Sequence, residues 1–219
     1  MAKRVLRASM MTGVVLGGLV LAGCSDGSDS ERKTADSKSR QACAHFLGAE
    51  NVRKAVDSVG GGEEAALTRL APGDLAAALS REAEEWSEDD LLHNEYSACR
   101  IQLRSGDGGA FVIEATAGWS MLTFDFMMSK PKYGKNWQRL NDQVFVWPED
   151  GQSRMRLLVE CGVPGAPSGQ QEGLPLEMMV ADPGLAVEQR QTLLSTFART
   201  LVEELGCTGD PVVPAQLLR

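Results

Sequence analysis

The chain has 219 residues and a formal charge of −8, from 22 basic against 30 acidic side chains, and it contains only two histidines. An acidic body is repelled by nucleic-acid phosphates and by anionic headgroups, which argues against nucleic acid as a partner and against attachment to a membrane by surface charge. Any histidine-based catalytic or metal centre would have to use His45 or His93.

The N-terminus reads as a secretory leader. Lys3, Arg4 and Arg7 form a positive region, Met10 to Leu21 form an uncharged apolar run, and Leu21-Ala22-Gly23 places small residues before Cys24. The apolar run is shorter than the roughly 20 residues that a membrane span needs. Leu21-Ala22-Gly23-Cys24 resembles the lipobox of bacterial lipoproteins. That resemblance implies diacylglyceryl (palmitate-type) transfer to the Cys24 sulfur, removal of residues 1–23, and a mature protein held in the membrane by its acyl chains. Two or more chains, at about 0.8 kcal/mol per buried methylene, anchor stably. Losing Lys3, Arg4 and Arg7 takes three positive charges from −8 and leaves a formal charge of −11.

Residues 24–40 read as a lipidated cysteine and a disordered tether. Ser25 to Arg40 contain one apolar side chain, Ala35, and balanced opposite charges, so the segment has nothing to bury. A flexible chain of that length would hold the body on the order of 20 Å from its anchor. Residues 41–209 are expected to form a single domain, with 210–219 as a C-terminal tail. With Cys24 assigned to lipid, Cys43, Cys99, Cys161 and Cys207 remain, an even number in an oxidising compartment. Of the three possible pairings, Cys43 with Cys99 and Cys161 with Cys207 is preferred, because each ties a helix end to a nearby strand.

Along the body, Phe46, Leu47, Val52, Ala55, Val56 and Val59 suggest one or two short helices before Gly60-Gly61-Gly62. After Pro72-Gly73, with Asp74 as a cap, Leu75, Leu79, Ala83 and Trp86 recur at helical spacing. From Tyr96 the period becomes two. Cys99, Ile101 and Leu103, a turn at Ser105–Gly109, and Phe111, Ile113, Ala115 and Ala117 read as a hairpin. Leu122, Phe124 and Phe126 alternate as a further strand, residues 128–140 form a loop, and strands follow at Val144–Trp147, Met155–Cys161 and Leu176–Val180. The stripe Leu194, Phe197, Ala198, Leu201, Val202 and Leu205 marks a long last helix, with Gly206 at its left-handed cap. Five or six antiparallel strands flanked by N-terminal helices and this C-terminal helix give an α+β fold.

A cysteine opening the first helix, Ser97-Ala98-Cys99 leading a hairpin, Val159-Glu160-Cys161 ending a strand and Glu204-Leu205-Gly206-Cys207 closing the last helix resemble secreted lipoproteins of unknown function from streptomycetes and other actinobacteria. Heavy use of Ala, Gly, Leu, Arg and Glu fits that source. The resemblance implies two intrachain disulfides and a location on the outer face of the cytoplasmic membrane; it supplies no catalytic or ligand residues.

Chemistry is sparse. Gly118-Trp119-Ser120-Met121-Leu122 begins like a nucleophile elbow but lacks the second glycine and lies in strand-like sequence. Cys43, His45, His93 and Cys99 would form a metal site only if the thiols stayed reduced, against the default outside the cytoplasm. Met127-Met128 and Met178-Met179 suit Cu(I) by softness, yet each pair reads as one strand residue facing in and one out. Glu82, Glu84, Glu85, Glu88, Asp89 and Asp90 read as a solvated face without a calcium loop. No Gly-rich phosphate loop is completed. The one candidate site is an interaction loop, Lys130, Lys132, Tyr133, Lys135 and Trp137, which combines cations and aromatics suited to an anionic polymer or to the acidic patch of an envelope protein. The expectation is a monomeric, non-catalytic, lipid-anchored binding or accessory protein of the cell envelope without a cofactor. A carrier of small or hydrophobic molecules is the alternative, ahead of a metal-binding lipoprotein or a hydrolase.

Overall fold

The computed structural model describes residues 27–60, 63–66, 68, 70–90, 93–104, 110–129, 136–148, 153–182 and 184–218. Its helices are α1 (Gly27–Leu47), α2 (Ala49–Ser58), α3 (Pro72–Glu85), α4 (Phe124–Ser129), the single turn α5 (Gln170–Gly173) and α6 (Val187–Leu205). Its strands are β1 (Glu63–Ala66), β2 (Glu95–Arg104), β3 (Ala110–Trp119), β4 (Gln138–Asn141), β5 (Val144–Trp147), β6 (Arg154–Val159) and β7 (Leu176–Ala181). The class is α+β, as expected. The leader and Cys24 lie outside the described residues, as does the turn expected at residues 105–109. Among the described residues no helix is long and apolar enough to cross a membrane.

All seven strands form one antiparallel sheet in the order β1-β2-β3-β7-β6-β5-β4. Two meanders meet where β3 pairs with β7. Strand alternation then sorts the side chains onto two faces. Ile101, Ile113, Ala115, Val180, Met178, Leu157, Val159, Val144 and Val146 fall on one face and join α1, α2, α3 and α6 in the main core. In that core Phe46 of α1 meets Phe197 of α6 edge to face, with ring centres 5.6 Å apart.

Local chemistry sets the helix ends. Pro72 occupies the first position of α3, where its missing N–H costs nothing, and Ala71 is the cap residue. Asp74, expected as the cap, instead lies inside the first turn, where its negative charge is favoured by the positive end of the helix dipole. At the end of α6, Gly206 adopts φ 59°, its N–H donates to the Glu203 carbonyl, and the Cys207 N–H donates to Val202 at 3.2 Å. This Schellman closure turns Cys207 back toward the sheet. Disulfides join Cys43 to Cys99 and Cys161 to Cys207, the preferred pairing. The first fastens α1 to β2, and the second fastens the end of α6 to Cys161, two residues past the end of β6.

Several expectations are corrected. The tether is not disordered along its length, because α1 begins at Gly27. The buried face at Ala42, Cys43, Phe46 and Leu47 fixes the helix. Ser39 is buried and its Oγ accepts the Thr68 N–H, so the packed domain begins before residue 41. It also continues past residue 209. Val213 and Leu217 are buried, the Ser195 hydroxyl donates to the Pro214 carbonyl, and the Leu218 N–H donates to Gln191, so the expected tail is docked along α6. The strand expected at Leu122–Phe126 is instead the start of α4, and β1 and β4 raise the strand number from five or six to seven. Residues 138–140 of the expected 128–140 loop belong to β4, which runs to Asn141.

Candidate functional site

The connection from β3 to β4 must pass from the centre of the sheet to its far edge, and it carries α4 over the face opposite the main helices. Thr123 starts this helix: its hydroxyl oxygen accepts the Phe126 N–H and its carbonyl accepts the Met127 N–H. Phe124 and Met127, three residues apart, turn inward onto Phe145 of β5 and Leu158 of β6, which are cross-strand partners. Trp137 completes this second, smaller core. It is 8 % exposed and lies edge to face with Trp147, ring centres 5.7 Å apart. Trp137 is therefore not an exposed member of an interaction loop. An aromatic on the crossing connection is drawn onto apolar side chains that would otherwise face water. Lys130, Lys132, Tyr133 and Lys135 lie outside the described residues.

The outward side of α4 and the residues just before it expose apolar side chains. Met121 and Met128 are each 61 % exposed and Phe126 is 37 % exposed, three of the four large exposed apolar side chains among the described residues. The methionines at 127 and 128 are helical, with Met127 buried and Met128 exposed; Met178 and Met179 are both buried. Nearby charge is mostly negative. Burial, then the carboxylates of Glu172, Asp125 and Asp142, push the Glu160 carboxyl above its usual range, with Arg139 pulling the other way. Arg139 itself donates to Asp142 at 2.6 Å. Beside this region the sheet carries cross-strand ion pairs, Arg156 with Glu177 at 2.7 Å and Arg100 with Glu114 at 3.1 Å, while the Arg156 guanidinium lies 5.9 Å from the Trp147 ring centre.

The other candidate constellations are not assembled for their proposed chemistry. Cys43 and Cys99 are bonded to each other, which removes both thiolates from the set with His45 and His93, and the His45 Nε2 contacts the Glu204 carboxylate of α6. Among the described residues no group of three or more His, Cys, Asp or Glu is placed to hold a metal ion. Ser120 follows β3, is buried, and accepts the Leu122 N–H on its hydroxyl at 3.2 Å while its own N–H donates to Pro175. Glu82 of the acidic run accepts from Tyr96 at 3.1 Å and from Asn94; burial first, and Glu82 second, push the Tyr96 phenol upward.

Two polar features escaped the sequence reading. Gln170 is buried and holds the chain that follows β6 to the sheet, accepting the Val163 N–H at 2.9 Å and donating to the Cys161 carbonyl at 3.2 Å. At the other end of β7, Asp182 and Arg190 are both buried. Burial pushes the Asp182 carboxyl above its usual range against the opposing pull of the Gly184 and Leu185 N–H groups and of Arg190. Neither residue carries a motif; only a charged residue at a strand end and another on the apolar face of the last helix could have marked them. No family model, curated protein or solved structure matches the chain.

Proposed function

We propose that this is a lipid-anchored, extracytoplasmic protein of the cell envelope, held through Cys24 on the outer face of the cytoplasmic membrane, that acts by binding another envelope component rather than by catalysis. The observation that carries the reading is the division of the cysteines. One stands directly after Leu21-Ala22-Gly23 at the end of an apolar leader, and the four in the body are consumed in two disulfides. Such pairing belongs to an oxidising compartment. The contact face in this reading is the outward side of α4 together with Met121 just before it, where Met121, Phe126 and Met128 supply apolar area and Lys130, Lys132 and Lys135 follow directly in sequence. Apolar anchors give a partner something to desolvate, and the lysines address anionic groups on it.

A photo-crosslinking side chain at Met128, compared with one at Arg100 on the same side of the sheet, tests the reading in the native membrane. Defined adducts from position 128, and none from position 100, are expected. Equal labelling from both positions, or none from either, would remove α4 as the contact face.

A further inference from the structure

We propose that Met121 and Met128 form an oxidation site at which hydrogen peroxide, by converting both thioethers to sulfoxides, releases the partner held by the α4 face. The site stands on side-chain exposure alone; its regulatory effect rests on the contact face proposed above. Six methionines lie among the described residues, and the fold divides them into two classes. Met127, Met155, Met178 and Met179 are buried, none more than 8 % exposed, whereas Met121 and Met128 are each 61 % exposed. The contrast is greatest between neighbours. Met127 packs with Phe145 and Leu158 in the second core, while Met128, one residue on, stands in water. The backbone around Met121 is held on both sides: the Ser120 N–H donates to the Pro175 carbonyl at 2.8 Å, and the Leu122 N–H donates to the Ser120 hydroxyl at 3.2 Å.

Accessibility selects which sulfurs react. A methionine sulfur lone pair attacks one oxygen of hydrogen peroxide, the O–O bond breaks, and the proton on the transferred oxygen passes to the departing hydroxide. Sulfoxide and water result; the sulfur loses two electrons and the peroxide gains them. The oxidant must reach the sulfur, so the exposed pair reacts ahead of the buried four. No thiol among the described residues competes, because Cys43, Cys99, Cys161 and Cys207 are all in disulfides. The product is a polar side chain where a flexible apolar one stood. At positions 121 and 128 the new oxygen stays in water and costs the fold little. Beneath a partner the same oxygen would have to give up its water. Two of the three apolar side chains of the face therefore change character, and only Phe126 keeps its own.

Hydrogen peroxide added to the membrane-bound protein, followed by peptide mapping, reads the site. Met121 and Met128 should each gain one oxygen on the order of ten times faster than the buried four, and unfolding before peroxide should abolish the difference. Oxidation of all six at one rate in the folded protein would overturn the site. A photo-crosslinking side chain at Asp125, exposed in the first turn of α4, reads the release. Its adducts should be lost when the wild type is oxidised, return after treatment with methionine sulfoxide reductases, and survive peroxide in a Met121→Leu, Met128→Leu protein. Equal loss in that double variant, or undiminished adducts from an oxidised wild type, would overturn the release. Absence of adducts before any peroxide would defeat the contact face itself, and the release with it, while the oxidation map still decides the site.

Discussion

Replacing both Cys161 and Cys207 by serine removes the staple that ties the end of α6 to the strand-bearing half of the fold. The cysteines are 46 residues apart in sequence, and closing a loop of that length takes enough entropy from the unfolded chain to stabilise the native state by about 4 kcal/mol. The Cys43–Cys99 pair spans 56 residues, which differs by only about 0.2 kcal/mol on the same scale because the dependence is logarithmic. For a domain of this size each kcal/mol corresponds to roughly 2–4 °C in Tm, so either double variant should melt about 8–16 °C below the wild type. Differential scanning calorimetry under non-reducing conditions measures both. The single variant Cys207→Ser separates connectivity from stability: alkylation and peptide mapping should find one new thiol, at Cys161. A new thiol at Cys43 or Cys99, or double variants that melt within about 2 °C of the wild type, would refute the reasoning.

Three further outcomes follow from packing and charge. Gly118→Ala should destabilise the protein by about 1–3 kcal/mol in urea unfolding, because the added Cβ would stand 2.4 Å from the Asn94 carbonyl oxygen, a backbone atom with little freedom to retreat; an unchanged midpoint would contradict the close approach of β2 and β3 there. Trp137→Ala should cost roughly 3–5 kcal/mol through loss of the α4 core, whereas Met128→Ser should leave Tm nearly unchanged and reduce crosslinking from neighbouring positions; the reverse pattern would place Trp137 rather than Met128 at the partner contact. Asp182 has a folded pKa raised above its unfolded value, so its ionised form is held less well in the folded state than in the unfolded one. Its penalty is complete above the folded pKa and disappears as pH falls through that value toward the unfolded one. Asp182→Asn, which keeps the Oδ1 acceptor, should therefore show its most favourable stability relative to the wild type at neutral pH and lose that advantage on acidification; a relative stability that improves as pH falls would reverse the sign.

The fold was legible where burial and periodicity agree. Leu75, Leu79 and Ala83 lie on the buried face of α3, with Trp86 buried directly after it, and the stripe from Leu194 to Leu205 is the buried face of α6. Gly206 was readable because a left-handed cap requires it, whereas the cysteine pairing was a preference among three possibilities. The segment around α4 misled because Leu122, Phe124 and Phe126 alternate like a strand, while the deciding features are the Thr123 cap and the three-residue spacing of Phe124 and Met127. β1 and β4 are four-residue edge strands, too short and too polar to show alternation, and they exist because β2 and β5 offer them unpaired backbone groups. Trp137 could not be placed from sequence, since an aromatic beside lysines suits an exposed loop and a capped sheet face equally well. Asp182 and Arg190 were hidden by a longer-range fact: only the packing of α6 against β6 and β7 determines that both charges lose their water.

The most direct test of the account is intact-mass analysis of the protein purified from its native membrane, with and without reduction before alkylation. The account predicts a chain beginning at an acylated Cys24, no alkylation before reduction, and four alkylated cysteines after it. An N-terminus upstream of Cys24 or without acyl mass, or free thiols in the unreduced protein, would contradict it.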